Sequence, residues 1–410
     1  MQKKLIALAV AGLASTAAFA QTNVTIYGLV DYGYTYRFDA RGLDSLTNGG
    51  HSFNKPGSAS QLNSGQQNSN RLGFKGTEDL GNGLKAVFLL EQGFNLDTGT
   101  QAAGADQMFN RQAYVGLSGG FGTAVGGRLY TPHYTFVSGL DPFGAGQLGS
   151  YRNVFSPSGS TNIGNTSYAS LMDPMRVDNA IAYISPSFGG FSVTAAFSNN
   201  AGGLATGPTT NSGGNDSTNN NAQNNTVYAI LGQYTGGMFT AGANYHIIEM
   251  GSGTPSVKNV QNFDLGGSVD FKAVKVMALY SWNSIESDLK TGPILGGLAN
   301  GNWTVNNYML GATVPLGKFS VLGSYIYSDG NKAAGGDAQQ LALGGTYAMS
   351  KRTNLYSSYA WIDNSGQRLN GVGDASASGS YAAQGNLGAG NYQPVGAWQQ
   401  GFQIGLRHMF

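Results

Sequence analysis

From Thr22 to Phe410 the dominant signal is an alternation of period two. Val24, Ile26, Gly28, Val30, Tyr32, Tyr34 and Tyr36 interleave with Thr25, Tyr27, Leu29, Asp31, Gly33, Thr35 and Arg37. Leu84, Ala86, Phe88, Leu90 and Phe94 alternate with Lys85, Val87, Leu89, Glu91 and Gly93, and Val177, Ile181 and Tyr183 with Arg176, Asp178 and Ala180. The chain ends in the same way. In GFQIGLRHMF, Phe402, Ile404, Leu406 and Phe410 fall on one side, and Gln403 and Arg407 on the other. Successive strand side chains point to opposite faces, so each segment predicts a strand with one apolar and one more polar face.

The breaks alternate between short and long. Short turns are expected at Asp79–Gly83, Gly119–Gly122, Ser187–Gly190, Thr235–Gly237, Asp270–Ala273, Pro315–Lys318 and Ser350–Thr353. Long polar loops are expected at 38–67, 95–107, 131–175, 200–224, 250–258, 286–302, 330–336 and 364–396, with no helix of consequence. About sixteen strands result, and the loop at 200–224 is too low in complexity to build a core. A soluble sandwich or propeller would pack its apolar faces on another sheet. Only an all-β, 16-stranded antiparallel transmembrane β-barrel accounts for the short and long connections in turn. Closure is required, because hydrocarbon leaves no partner for an open edge. Sixteen strands enclose a water channel.

Composition agrees. Charged residues are only 10%, glycine numbers 64, and there is no cysteine, hence no disulfide framework and no thiolate metal site. No later stretch approaches the ~18 consecutive apolar residues of a membrane helix. The formal charge is +1, or −1 once Lys3 and Lys4 are removed, and no basic stripe suggests nucleic acid. Those lysines open MQKKLIALAVAGLASTAAFA, in which an apolar run from Leu5 to Ala14 is followed by the small-x-small site Ala18-Phe19-Ala20. This predicts a cleaved secretory signal peptide over 1–20, with 21–410 as a single barrel.

Candidate chemistry is sparse. Gly116-Leu117-Ser118-Gly119-Gly120 matches G-x-S-x-G, but a nucleophile elbow needs a following helix, whereas a glycine turn and a strand follow here. His51, His133, His246 and His408 form no metal spacing, and no phosphate or dinucleotide fingerprint occurs. No enzyme, metal or cofactor is expected.

Several segments together resemble the trimeric general porins of Gram-negative outer membranes, the beta-proteobacterial branch especially. They are NVTIYGLVDYG (23–33), NRLGFKGTEDLGNGLKAVFLLEQGF (70–94), RQAYVGLSGGFGTAVGGRLYTP (111–132), DPFG (141–144), RVDNAIAYISPSFGGF (176–191), MSKRTNLYSSYA (349–360) and GFQIGLRHMF (401–410). The resemblance spans nearly the whole chain. It implies a homotrimer among outer-membrane lipids and lipopolysaccharide that passes small hydrophilic solutes. It also implies that 131–175 folds back as a constriction loop with DPFG at its tip, facing wall arginines at Arg71, Arg111 and Arg176. Arg128 is a further candidate, with Lys75 beside Arg71 and Asp141 in the loop. The terminal Phe410 resembles the signal that outer-membrane assembly machinery reads.

A charge facing lipid at mid-membrane costs roughly 2–4 kcal/mol, so these groups should face the lumen. Arg71 and Lys75 oppose Leu72 and Phe74. Arg128 opposes Val125 and Leu129, and Arg176 opposes Val177 and Ile181. Arg111 shares its phase with Ala113, Val115 and Leu117, which leaves its face open. Arg37 and Lys85 are further lumen cations, and Asp31, Glu91, Asp178 and Asp173 the acids. The balance leans basic, so weak anion preference is expected. A substrate-selective porin and a structural or adhesive barrel remain as alternatives. The first would show an aromatic track or charge ladder, and Tyr27 alone is too isolated to show one.

Overall fold

The structure is a computed structural model that describes residues 23–38, 59–102, 107–155, 162–163, 166–167, 172–199, 201, 225–250, 257–287, 302–331, 336–366, 368, 370–373 and 398–410. The expected signal peptide, His51 and nearly all of 200–224 lie outside them.

Sixteen strands close into one barrel. They are β1 (Asn23–Arg37), β2 (Arg71–Gly81), β3 (Leu84–Gly93), β4 (Gln112–Gly119), β5 (Gly122–Tyr130), β6 (Arg176–Ile184), β7 (Phe191–Ser198) and β8 (Thr226–Gly236), followed by β9 (Phe239–Glu249), β10 (Val257–Asp270), β11 (Lys275–Ser287), β12 (Trp303–Leu316), β13 (Phe319–Gly330), β14 (Ala338–Ala348), β15 (Thr353–Asn364) and β16 (Trp398–Met409). Each pairs antiparallel with the next. β16 pairs back to β1 from Leu29↔Met409 to Arg37↔Gly401. An even number is what lets first and last strands run antiparallel, and closure removes every free edge.

All seven expected short turns connect strands at one end of the barrel. The first is an Asn-Gly turn, with Asn82 at φ 52 and Gly83 at φ 78. Both central residues need positive φ there, which is why Asn-Gly reads as a hairpin signal. The outer face is apolar. Phe188, Phe191, Phe239, Phe319 and Tyr347 ring the turn end, and Tyr228, Tyr245, Tyr308, Tyr325 and Tyr359 the loop end. Ile230, Leu265, Leu310 and Leu343 lie exposed between them. This is a lipid band between two aromatic girdles.

The interior departs from expectation in one respect. The third outer loop, 131–175, opens with a helix, α1 (Pro132–Leu140). The Thr131 hydroxyl caps it by accepting the Tyr134 N–H at 3.1 Å, and Pro132 stands where no N–H is needed. Nine residues cannot hold a helix unaided, so packing must hold it. Phe136, Val137 and Leu140 are buried with Leu231 and Leu279 of the inner wall. Further along, Phe143, Leu148, Val154 and Phe155 bury against Met309, Leu322, Ile326 and Ile362. The inner face is therefore apolar where the loop lies on it, not uniformly polar.

Glycines on that wall make the close approach possible. A Cβ on Gly242 would lie 2.8 Å from the Phe136 ring, on Gly266 2.7 Å from Leu140, and on Gly311 2.5 Å from Pro142. On Gly344 it would lie 2.7 Å from Phe143, and on Gly401 3.1 Å from Leu148. A glycine track runs round the interior from β9 to β16, and the loop lies in it.

Candidate pore constriction

Loop 3 packs on the inner wall of β8 and β11–β15, with Met172 of its return on β5 and β6, and the candidate charges gather on the inner face of β1–β3 and the strand ends beside it. There Tyr27, Gly73 and Glu91 stand opposite one another on β1, β2 and β3. Their phase is opposite to exposed Ile26 and Leu72, which marks them as inward. Glu91 is 3% exposed and is the hub. Its Oε2 accepts the Tyr27 hydroxyl at 2.9 Å and lies 3.9 Å from Arg71 Nη1, and its Oε1 accepts Arg111 Nε at 2.7 Å. Arg111 Nη2 donates to the Tyr130 hydroxyl at 2.6 Å, and Arg176 Nη2 to the same oxygen at 3.3 Å. The Arg176 guanidinium lies 4.9 Å from the Tyr130 ring centroid. Lys75 Nζ stands 5.2 Å over the Tyr27 ring. Tyr130 meets Tyr134 of α1 with ring centroids 5.0 Å apart, joining wall to loop.

Arg71, Arg111, Arg176 and Lys75 thus gather on one wall. Arg111 escapes the strand alternation because it precedes the first ladder residue, Gln112. Its N–H bonds the Glu91 carbonyl at 3.1 Å while its side chain turns in to the Glu91 carboxylate. Arg176, the first residue of β6, pairs with Tyr130 on the phase opposite buried Val177, and its guanidinium reaches the wall by turning to the Tyr130 hydroxyl.

Two expected positions differ. Arg128 does oppose Val125 and Leu129, but those two are the buried, inward residues, packed with Met172 of loop 3. Arg128 stands opposite Ala113, on the phase of Val115, which is 64% exposed. It pairs with Asp178, not with the arginine wall. A register break between Gly127 and Leu129, with Asn179 at φ 51, inserts an extra residue and shifts the phase. Asp178 consequently serves Arg128 and not Arg176. Asp141 is the second. It is 5% exposed, and its carboxylate accepts the N–H groups of Phe143, Ala145 and Tyr151 at 3.0, 2.9 and 3.1 Å. It folds the DPFG turn rather than lining the channel.

Other lumen candidates are also occupied. Arg37 bonds the Val372 carbonyl at 2.7 Å and Gln61 at 2.9 Å. Asp173 is buried with Arg152 Nε, the Tyr151 hydroxyl at 2.9 Å and His133 Nε2 at 2.8 Å. The other face of His133 reaches Asp264 of β10 at 2.7 Å. Burial alone would lower the His133 pKa, but Asp264 and Asp173 outweigh it and hold it up to about 10. Burial would raise Asp173, but Arg152 and His133 pull it down to about 2. This charged chain fastens the neck of loop 3 to the wall. Nothing in the sequence pairs His133 with Asp264, 131 residues away. Among the described residues no three His, Cys, Asp or Glu side chains converge on a metal site. Ser118 lies on β4, with its hydroxyl 2.8 Å from that of Thr123 across the hairpin.

A closed barrel, apolar outside and narrowed by an inward loop facing a basic wall, defines a porin-type channel. The chain belongs to the Gram-negative porin family, whose family model matches residues 7–367. It is 31% identical to an outer membrane porin protein of Bordetella pertussis over 407 residues, covering 91% of this chain and 99% of that one. It is 32% identical over 421 residues to outer membrane porin protein 32 of Delftia acidovorans, covering all of both. Among solved structures it matches an anion-selective porin from Comamonas acidovorans at TM-score 0.70 and 25% identity, covering 95% of this chain and 100% of that one. The protein is an outer-membrane porin of a Gram-negative bacterium, a water-filled channel for passive diffusion of small hydrophilic solutes.

Proposed function

We propose that the channel prefers anions weakly, and that Arg71, Arg111, Arg176 and Lys75 impose the preference. One observation carries this: among the described residues four cations gather round Glu91 and its Tyr27 and Tyr130 neighbours, where Glu91 is the one carboxylate that bonds them. Arginine keeps its charge at any working pH, and low-dielectric walls focus its field. The Debye length at physiological salt is about 8 Å, so the field acts across a narrow gap and fades in wide vestibules. The Comamonas porin, described as anion-selective, supports the reading. Zero-current potentials in a salt gradient test it. The wild type should lean towards anions, and replacing Arg71, Arg111 and Arg176 together by Ser should abolish the lean. Clear cation selectivity of the wild type would overturn it.

The remaining roles go with the family: export by a signal peptide over 1–20, a homotrimer set among outer-membrane lipids and lipopolysaccharide, assembly machinery that reads Phe410, and no catalysis. A heat-dissociable trimer in mild detergent is the expected result, and a monomer band in unheated samples counts against it. The substrate-selective reading gains one observation, because Tyr27 has company in Tyr130 and Tyr134 beside the arginines. Blockade of the channel by one solute at low concentration would establish that reading.

A further inference from the structure

Six residues, Gly65–Asn70, leave the barrel wall halfway along β1. Above them the short strand Ala59–Ser64 pairs with Tyr32–Arg37, and below them β2 pairs with Asn23–Leu29. Between the two the chain turns into the lumen and is held there. Asp31 is fully buried, and its Oδ2 accepts the N–H groups of Gln67 and Asn68 at 2.7 and 2.6 Å. Its Oδ1 accepts the Tyr356 hydroxyl at 2.5 Å, and its carbonyl the Gly65 N–H at 2.8 Å. Gln66 lies so close to Gly33 that a Cβ there would meet its Oε1 at 2.5 Å. Asn354 donates to Gln67 at 2.9 Å, and Arg407 to Asn68.

Two carbonyls of this turn reach the constriction. Gln66 O accepts the N–H of Gln147, just past the loop 3 tip, at 2.7 Å. Ser69 O accepts Arg71 Nε at 3.1 Å. The turn therefore joins the tip region of loop 3 to the first arginine of the wall. Gly65, Gln66, Gln67 and Asn70 are buried, whereas Asn68 and Ser69 are half-buried, as the lip of such a bridge would be.

We propose that Gly65–Asn70 is a second constriction element, seated on the Asp31 carboxylate, which completes the rim begun by loop 3 and holds the Arg71 guanidinium at it. Asp31 is the positioning residue. The inference rests on the reading of the arginine wall as the selective constriction.

The chain has no cysteine, so Ser69→Cys offers one thiol for labelling with anionic or cationic thiosulfonates. Either label should lower single-channel conductance, and the two should shift the zero-current potential in opposite directions. No change with either overturns the proposal. Asp31→Asn separates positioning from charge. Removing a lumen carboxylate would by itself raise anion preference, whereas unseating the turn frees Arg71 and lowers it. A fall in a variant that keeps its folded, heat-modifiable mobility supports the proposal, and a rise overturns it. If Asp31→Asn fails to fold, the Ser69→Cys labelling decides alone. Arginine variants that change selectivity while labelled Ser69→Cys moves neither readout would sink the second element and keep the wall. Arginine variants without effect would sink the wall itself.

Discussion

At the scale of single residues, the interior divides its charges between two tasks. Glu91 holds cations at the channel wall, while Asp141 and Asp173 are consumed in shaping and fastening loop 3. His133 belongs to the second task, since a cation between Asp173 and Asp264 offsets two buried carboxylates. Removing one member of such a group costs on the order of 3–5 kcal/mol, because the remaining charges stay buried. The sign with pH follows from the two shifts. His133 is held up to about 10, so its contribution is full below its ordinary value of about 6.5 and is lost as pH rises through about 10. Asp173 is held down to about 2, so its contribution is present above about 4 and lost as pH falls through about 2. The stability advantage of the wild type over His133→Gln should therefore be greatest between about pH 4 and 6.5 and shrink towards pH 10. Thermal unfolding of both proteins across that range measures it. An advantage that grows above pH 7 would contradict the assignment.

At the scale of elements, the loop is held by what the wall lacks. Pro142 sits where a Cβ on Gly311 would be 2.5 Å away, and a proline ring cannot swing aside. Gly311→Ala should cost about 1–3 kcal/mol by overpacking and lift the DPFG turn, giving a noisier channel. Gly323→Ala is the control, since its nearest neighbour would be 3.9 Å away and ordinary contact results. Equal effects of the two substitutions on melting and on current noise would remove the glycine track as the seat. The strands and turns were legible because alternation and Asn-Gly or Gly-Gly breaks are local properties. So was the position of loop 3, a stretch without alternation. Its helix carried a local signal too, Thr131 followed by Pro132, which a loop reading passes over. Glycines inside strands, at Gly242, Gly266, Gly311 and Gly344, marked a close approach that alternation alone does not reveal. Arg128 keeps the alternation of its strand and differs only because apolar Val125 and Leu129 face in under loop 3, whereas the face of Asp178 was not legible. One extra residue near Asn179 reverses every side chain beyond it, and no periodicity announces it. The bridge from Gly65–Asn70 to loop 3 depends on contacts between distant segments and left no trace in the pattern.

At the scale of the whole molecule, the closing seam of the barrel extends to Phe410. Phe410 exchanges both backbone hydrogen bonds with Gly28 at 3.1 Å, extending the β1–β16 ladder by one more pair. Its ring fills the space a side chain on Gly28 would need, since a Cβ there would fall 2.2 Å from Phe410 Cζ. Phe410 is thus part of the closing seam, whatever else reads it during assembly. The two roles separate in the test tube. Refolding of purified chain into detergent or lipid involves no assembly machinery, so a residue that served only as an address would be dispensable there. Deleting Phe410 should instead lower the temperature at which the refolded barrel converts to its unfolded mobility, because two backbone bonds and an aromatic contact are lost at a closure where no other strand can substitute. Insertion in cells should fall further than refolding does, if the residue is also an address. A deletion that refolds and melts like the full chain, yet fails to reach the outer membrane, would reduce Phe410 to its address role. A deletion that is normal in both would leave the seam to β1 and β16 alone.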